Sequence, residues 1–322
     1  MSNFYTEDGD NPYVQAVQAS QQSAAPAQVA NLTFFPGFEQ RFIHTSGATI
    51  NTLIGGNGPP LLLLHGFPES HVAWHKVAST LAEKYTVVLT DLRGYGDSSK
   101  PPGGPDHIAY SKREMGRDQL EVMQQLGFKK FQAVGHDRGG RVLFQMMLDA
   151  PQTVERGVVM SVAPIRELFA NLSQGFATAF FYWLLQIQPA PLPERMINAS
   201  LELYISTLLS EMNQTTGAVT PEAYAEYLRG YRNPASIHAV CEDYRASVTI
   251  DAEIEKSLNG QKAAQPLLVL WGQKETIGLY FDVLGMWKQH ASHVQGYPLP
   301  CGHLIPEEDP QGLLQALDQF LQ

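Results

Sequence analysis

The residues whose order could do chemistry lie in "FQAVGHDRGGRVLFQM", residues 131–146. An apolar run leads into Gly-His-Asp-Arg-Gly-Gly-Arg and then into a helical pattern, which is typical of a strand, a sharp turn and a helix with a nucleophile on the turn. A small residue before Asp137 and glycines after it suit the crowding of such a turn. The alternative is that Asp137 only caps the helix that it precedes.

A carboxylate on this turn favours a different reaction from that of a serine. A serine needs a neighbouring base to attack an acyl carbon, whereas a carboxylate can attack saturated carbon without one and form an alkyl ester. Water must then attack the carboxyl carbon of Asp137, and the resulting oxyanion needs hydrogen-bond donors. The backbone N–H groups of Phe67, in "HGFP", and of Arg138 are at the expected positions for an oxyanion hole.

Water attack also requires a general base, and His303 in "PLPCGHLIPEE" is the candidate. It follows the last predicted strand, near the carboxyl edge of the sheet where the sites of open α/β folds lie. We expect His65 and His136, which flank the same region, to be packed or hydrogen-bonded supports.

The elements that must position these residues alternate along the chain. Buried strands are predicted at "PPLLLLHGFP", "YTVVLTDLRG", "FQAVGHD", "RGVVMSVAP", "PLLVLWG" and "SHVQGYPLP", with helices near 111–126, from Gly139 and near 308–321. This alternation predicts an α/β fold with a mostly parallel sheet flanked by helices. The segment from "FEQRF" to "GGNG" alternates as a hairpin would, and "GGNG" at 55–58 is predicted to be a hairpin turn.

The strand pattern stops between about 166 and 250, where a mostly helical, aromatic-rich stretch predicts a cap inserted over the site. We therefore predict four segments. Residues 1–31, rich in Gln, Ala and Ser, form a flexible leader; 32–165 form the first part of the core, 166–250 the helical cap and 251–322 the second part of the core.

Composition excludes several classes of function. The net charge is −10, and scattered Lys and Arg residues leave no footprint for nucleic acid. Only two cysteines occur, without metal-like spacing, which fits a reduced compartment and predicts the cytoplasm. No apolar run approaches the roughly 18 to 20 residues of a membrane span. We expect a small-molecule substrate, no cofactor, no metal and no nucleic-acid or membrane partner, and leave homodimerisation open.

Several long motifs resemble those of one enzyme group. "HGFPESHVAW", "DLRGYGDSSKPPGGPDHIAYSK", "GHDRGGR", "IHAVCEDYRA" and "LPCGH" resemble the fluoroacetate (haloacetate) dehalogenase and epoxide hydrolase branch of the α/β-hydrolase superfamily, from about residue 36 to 322. The resemblance implies an α/β-hydrolase fold with a helical cap, Asp137 as nucleophile and His303 as base. It also implies that Arg138 and Arg141 bind the substrate carboxylate, a role that suits two guanidinium groups beside a nucleophile.

The dehalogenases of this group contact the leaving halide through a His, a Trp and a Tyr of the cap. The Trp corresponds to Trp183 and the Tyr to Tyr244, but Tyr182 stands at the position of the His. Two cap tyrosines facing an Asp are the arrangement of epoxide hydrolases, in which a phenol donates a proton to the opening alkoxide.

The acid that completes the catalytic group is absent from its usual place, where this chain has Ser161. A serine cannot stabilise an imidazolium as a carboxylate does. The superfamily also uses a position after the next core strand, and there "LVLWGQKETIG" contains Glu275. We hypothesise that the acid has moved to Glu275, the alternative being an exposed loop glutamate.

Three functions are therefore considered. The first is a hydrolase that displaces halide from small haloacids such as haloacetate through an Asp137 ester. The second is an epoxide hydrolase that uses Tyr182 and Tyr244. The third, suggested by Ser161 and the polar leader, is a ligand-binding protein on a hydrolase fold that does not catalyse a reaction.

Overall fold

The computed structural model describes residues 33–170 and 174–322, so the predicted leader at 1–31 lies outside the described residues. Within these ranges eight strands form a single sheet in the order β1-β2-β4-β3-β5-β6-β7-β8. The strands are β1 (Glu39–His44), β2 (Thr49–Gly55), β3 (Pro60–Leu64), β4 (Thr86–Thr90), β5 (Phe131–His136), β6 (Val154–Met160), β7 (Ala263–Gly272) and β8 (Ala291–Leu299). β2 runs antiparallel to β1 and β4, and the other neighbours are parallel.

Helices flank and follow these strands. In chain order they are α1 (Ala78–Ala82), α2 (Lys112–Gln125), α3 (Arg138–Asp149), α4 (Ile165–Ala170), α5 (Gln174–Ala179), α6 (Phe181–Gln186), α7 (Leu192–Ala199), α8 (Leu201–Met212), α9 (Pro221–Tyr231), α10 (Pro234–Val248), α11 (Ile250–Ser257), α12 (Thr276–Tyr280), α13 (Val283–His290), α14 (Ile305–Glu308) and α15 (Pro310–Phe320). Two short 3-10 helices, His71–Trp74 and Pro105–Tyr110, lie in the connections. None of the helices that the structure describes is long and apolar enough to cross a bilayer.

The central strands read as apolar runs because both of their faces are covered. Leu61 to Leu64 of β3 are fully buried between β4 and β5. In the parallel register Leu64 lies beside Thr90 of β4 and Gly135 of β5. The carboxyl ends of β3 and β5 are therefore level, which brings the segment after Leu64 next to Asp137.

The predicted turn at 55–58 does not join a hairpin. The hairpin links β1 and β2, where Thr45 N–H donates to Ala48 O at 2.8 Å. "GGNG" follows β2, whose other neighbour is β4, and β3 lies beyond β4 in the sheet. The prediction was wrong because turn residues show that the chain reverses, but they do not show which strand lies beside which.

Helices α4 to α11 lie between β6 and β7, and we call residues 165–257 the helical insertion. α10 is the most buried of these helices, with twelve of its fifteen residues buried. An insertion at this point of the sheet lies over the carboxyl ends of the strands. The division of the chain into core and cap segments stays a prediction.

Candidate functional site

Asp137 occupies a strained turn between β5 and α3, with φ 46° and ψ −110°. The turn is so tight that Gly135 and Gly139, on either side of it, have no room for a side chain. A Cβ on Gly135 would lie 2.4 Å from the Gly139 carbonyl oxygen, and one on Gly139 would lie 2.4 Å from that of Leu64. The Asp137 side chain makes no capping hydrogen bond to α3, although capping was the alternative role for this residue. Positive φ in a non-glycine residue is costly and is concentrated at functional sites.

The two carboxylate oxygens of Asp137 have different neighbours. The backbone N–H of Phe67, three residues after β3, donates to Oδ1 at 3.0 Å. Oδ2 lies 3.9 Å from Nε2 of His303. One oxygen is therefore held by an amide, while the other faces the imidazole.

His303 is oriented by Glu275. The Nδ1–H of His303 donates to Oε2 of Glu275 at 2.8 Å, and Oε1 of Glu275 accepts the Gly272 N–H at 2.8 Å. Glu275 is only 4% exposed, so it is not a solvent-facing loop residue. Because a carboxylate only accepts, Nδ1 carries a proton, and Nε2 is the nitrogen that faces Asp137.

Ser161 contacts the main chain of His303 and not its ring. Its hydroxyl donates to the His303 carbonyl at 2.9 Å. The same carbonyl accepts from Nε2 of His136 at 2.8 Å, while Nδ1 of His136 faces Oε2 of Glu69 at 2.7 Å. Sequence reasoning did not single out Glu69, although it stands in the "HGFPE" motif.

Arg138 is held by Asp243, a residue that sequence reasoning missed. Its Nε and Nη2 donate to the two carboxylate oxygens of Asp243 at 2.9 and 2.6 Å, and Nη2 also donates to Ser247 Oγ at 2.7 Å. Nη1 is buried and has no hydrogen-bond partner among the residues that the structure describes. The sequence signal that could have identified Asp243 was an acidic residue directly before Tyr244, on a helix with little polar periodicity.

Arg141 lacks such a counter-ion. No carboxylate lies within 4 Å of its guanidinium in the described parts of the chain, and its Nε is buried without a hydrogen-bond partner. Burial and the charge of Arg138 lower the pKa of Arg141 to about 10. The guanidinium lies 5.1 Å from the ring centre of Trp183 and lines a cavity of about 200 Å³ between α3, α11 and α13.

Aromatic side chains of the insertion pack against the two arginines, Arg138 and Arg141. The Tyr244 ring lies 4.2 Å from the Arg138 guanidinium and 4.9 Å from the Trp183 ring. Tyr182 and Tyr244 are 6.3 Å apart, and both pack on Phe67. Burial raises the pKa of Tyr182 and of Tyr244, so both phenols keep their protons.

A cavity of about 80 Å³ lies beside the imidazole of His303, and its lining also includes Glu275, Tyr182 and Met212. A single water needs about 10 to 15 Å³ of such space. The cavity therefore has room for water next to the imidazole.

One group in the described residues has the spacing of metal ligands: Glu167, Glu255 and His290, whose ligand atoms lie within 4.8 Å of one another. His290 Nε2 already bonds to Oε1 of Glu167 at 3.0 Å. The group includes none of the residues around Asp137.

Comparisons with known proteins identify the family of the chain. The alpha/beta hydrolase fold family model matches residues 59–310. A fluoroacetate dehalogenase from Burkholderia sp is 41% identical over 288 residues, covering 89% of this chain and 95% of that protein. A soluble epoxide hydrolase from Corynebacterium sp. (strain C12) is 32% identical over 285 residues, covering 85% and 94%.

A solved structure gives the same result. The crystal structure of ALR0039 from Nostoc sp PCC 7120 matches with a TM-score of 0.88 at 48% identity, covering 90% of this chain and 99% of that one. The predicted fold and the resemblance to the dehalogenase and epoxide hydrolase branch are confirmed. The chain belongs to the α/β-hydrolase family and is a hydrolase.

Proposed function

We propose that the protein hydrolyses small halogenated carboxylic acids through a covalent ester on Asp137. The observation that carries the proposal is the different environment of the two Asp137 oxygens. Oδ1 accepts the Phe67 N–H, and Oδ2 faces a histidine whose other nitrogen is held by Glu275. This arrangement leaves Oδ2 as the attacking atom.

In the first step Oδ2 attacks the carbon that bears the halogen. The new bond joins Oδ2 to that carbon, and the halide leaves with the electron pair of the broken bond. Tyr182, Trp183 and Tyr244 supply donors for the departing halide from the insertion. Neutral phenols and an indole N–H can donate to an anion.

In the second step His303 Nε2 takes a proton from water, and the oxygen attacks Cγ of Asp137. Negative charge develops on Oδ1, where the Phe67 N–H stabilises it and the Arg138 N–H is expected to assist. The bond between Cγ and Oδ2 then breaks, and the hydroxy acid leaves with Oδ2 after receiving the proton from His303. The second water proton, left on the new carboxyl group of Asp137, is released to solvent and restores the carboxylate. Glu275 stabilises the imidazolium formed in between.

The arginines favour an anionic substrate. Arg138 is neutralised by Asp243, but Arg141 is a partly buried cation beside another cation and has no carboxylate within ion-pair distance in the described chain. A buried charge without a partner is costly. A substrate carboxylate that bonds to Arg141 Nε and Arg138 Nη1 would supply both missing acceptors and place the α-carbon near Oδ2.

Opening of a small epoxide is the second candidate, and the Tyr182 and Tyr244 pair favours it. Their rings are 6.3 Å apart, and both hydroxyls keep their protons because burial raises their pKa. The same Asp137 ester would form, and a phenol would donate its proton to the alkoxide. With Glu275 as the proposed acid, Ser161 no longer argues for the third hypothesis, a protein without catalysis.

The test is incubation of the purified protein with fluoroacetate, chloroacetate and a panel of small epoxides, with halide and diol measured in parallel. Halide without diol supports the haloacid proposal, and diol without halide supports the second candidate. Asp137→Ala should abolish either product. Turnover that survives this substitution would contradict both functions.

The mechanism makes a prediction for His303→Asn. Ester formation does not need the base, whereas base catalysis contributes about 10²- to 10⁴-fold to the water step. The variant should therefore accumulate the ester, seen by mass spectrometry as an adduct on the peptide that contains Asp137. An unmodified peptide after exposure to a substrate that the wild type consumes would contradict the two-step route.

The cytoplasm remains our proposal for the location, since Cys241 and Cys301 are both buried free thiols. Homodimerisation stays open.

A further inference from the structure

We propose that Ser161 and the His136–Glu69 pair position the base His303 by holding its main-chain carbonyl, and that they act on ester hydrolysis and not on ester formation. The inference rests on the proposed two-step function. It gives a role to Ser161, which stands where the acid is expected, and to two buried ionisable residues that the mechanism does not otherwise use.

The His303 carbonyl accepts two hydrogen bonds from two different strand ends. Ser161, directly after β6, donates its hydroxyl at 2.9 Å, and His136, the last residue of β5, donates Nε2–H at 2.8 Å. All the atoms involved are buried. A carbonyl oxygen with two lone pairs filled by fixed donors cannot rotate away without leaving both donors unpaired.

The protonation of His136 follows from its partners. A carbonyl can only accept, so Nε2 carries a proton. At the other end of the ring Nδ1 faces Oε2 of Glu69 at 2.7 Å, and both side chains are fully buried. With protons on both nitrogens the ring forms an ion pair with Glu69, and its two N–H groups fix the ring in one orientation.

The surroundings of this pair are consistent with an imidazolium. Burial alone lowers the pKa of His136, but the charge of Glu69 and its hydrogen bond, with a contribution from Asp137, raise it to about 9. Glu307, whose pKa is raised by burial and by Glu69, also faces the pair, with Lys76 and Tyr227 near it. The His303 ring lies 5.0 Å from the His136 ring, and Tyr231, His65 and His75 are near Glu69. His136 therefore keeps its charge at neutral pH.

The backbone conformation of Ser161 is unusual for a non-glycine residue. It has φ 51°, a conformation that L residues rarely adopt, and its backbone N–H donates to Leu270 of β7. This conformation directs the hydroxyl to the His303 carbonyl and not to the imidazole. Glu275 orients the His303 ring, while Ser161 and His136 fix the His303 backbone.

The reaction separates these roles. Attack by Oδ2 of Asp137 on carbon does not require His303, but the water step does. A displaced His303 should therefore slow hydrolysis while ester formation keeps its rate. A general loss of structure would slow both steps.

The experiment compares Ser161→Ala and Glu69→Gln with the wild type in rapid-quench single turnovers. The rate of halide release reports ester formation, and the rate at which the Asp137 adduct disappears reports hydrolysis. We expect hydrolysis to be about tenfold slower in each variant, which is the effect expected for one lost buried hydrogen bond. The rate of halide release should be unchanged. Thr90→Val, which removes the buried hydroxyl that bonds to Gln119 at 2.8 Å, is the matched control and should change neither step.

Equal slowing of both steps, or no change in either, would overturn the positioning role while leaving the proposed function intact. Ser161→Ala is the milder substitution and serves if Glu69→Gln does not fold. If the wild type forms no ester with any substrate, the proposed function fails.

Nuclear magnetic resonance of ¹⁵N-histidine-labelled protein then decides the inference without turnover. His136 should show two protonated ring nitrogens at neutral pH, and Ser161→Ala should shift the His303 ring signals. An unprotonated Nδ1 on His136, or unchanged His303 signals, would overturn the proposal.

Discussion

Glu275 holds the His303 ring from the end of β7, whereas the expected position for the acid, Ser161, follows β6. Both positions can serve because β7 lies between β6 and β8 in the sheet, and His303 follows β8. The end of either strand is close to the loop that carries the base. The proposed reaction needs a carboxylate at Nδ1 of His303, whichever strand supplies it.

Replacing Glu275 by Gln tests this assignment. Gln keeps the size of the side chain but removes the charge that stabilises the imidazolium and fixes its tautomer, so hydrolysis of the ester should fall by up to about 10⁴-fold. Rapid-quench measurement of the Asp137 adduct checks the result. The exposed Glu83→Gln is the control, and equal rates in both variants would return Glu275 to a structural role.

Tyr182 separates the two candidate substrates. Tyr182→Phe removes a proton donor, which should slow epoxide opening by about 10²-fold or more. Halide release should fall much less, because Trp183 and Tyr244 remain as donors. Diol and halide assays on this variant make the comparison, with the exposed Tyr280→Phe as control; similar losses in both assays would remove Tyr182 as a discriminator.

At the scale of the elements, α3 of the core and α10 of the insertion are joined by Arg138 and Asp243. Both side chains are fully buried, and Asp243 also bonds to Lys112 and to the hydroxyl of Tyr95 at 2.6 Å. The insertion therefore meets the core through a charged network one residue away from Asp137. This network fixes the arginine that faces the proposed substrate.

Asp243→Asn should destabilise the protein by about 3 to 5 kcal/mol, because it leaves Arg138 as a buried charge without a counter-ion and Lys112 with Asp251 as its remaining counter-ion. Urea unfolding measures the loss. Lys256→Gln, which removes the exposed Lys256–Glu253 pair, should leave the unfolding midpoint unchanged. A small effect of Asp243→Asn would show that the network does not hold the insertion to the core.

The sequence allows the strands and the turn at Asp137 to be predicted, because each has a local signal, while the roles of Asp137 as nucleophile and His303 as base stay predictions. Buried runs such as Leu61 to Leu64 identify strands, and glycines around Asp137 identify the turn. Local signals do not show pairings between distant residues. Glu69 meets His136 across 67 positions and Arg138 meets Asp243 across 105, and no periodic pattern links either pair. The wrong hairpin turn at 55–58 has the same cause.

At the scale of the whole molecule, two buried ionic groups limit the free energy of unfolding at opposite ends of the pH range. Burial raises the pKa of Asp91, but His71, which donates from its ring and its backbone, lowers it below the ordinary 3.8. Asp91 therefore contributes stability above about pH 4 that is lost as the pH falls towards its folded pKa. His136 behaves in the opposite way, since its folded pKa is raised from 6.5 to about 9.

We expect the free energy of unfolding to be greatest between about pH 5 and 7. The contribution of His136 is fully present below pH 6.5 and is lost as the pH rises through about 9, a change of about 3 kcal/mol. Urea midpoints from acid to alkaline pH measure both limits. Glu69→Gln should flatten the alkaline limb and Asp91→Asn the acid limb, while the exposed Asp318→Asn should change neither.

The crowding at Gly135 and Gly139 has a consequence for how this protein can change over generations. A methyl group at either position would meet backbone atoms 2.4 Å away, whereas one at Gly127 would meet nothing within 4 Å. Drift can therefore alter Gly127 at the modest cost of its φ of 90°, but it cannot alter the two glycines around the turn without moving β3 or α3. Asp137 already carries a Cβ at φ 46°, so a change of residue there would alter the chemistry of the turn without adding a methyl group against the backbone.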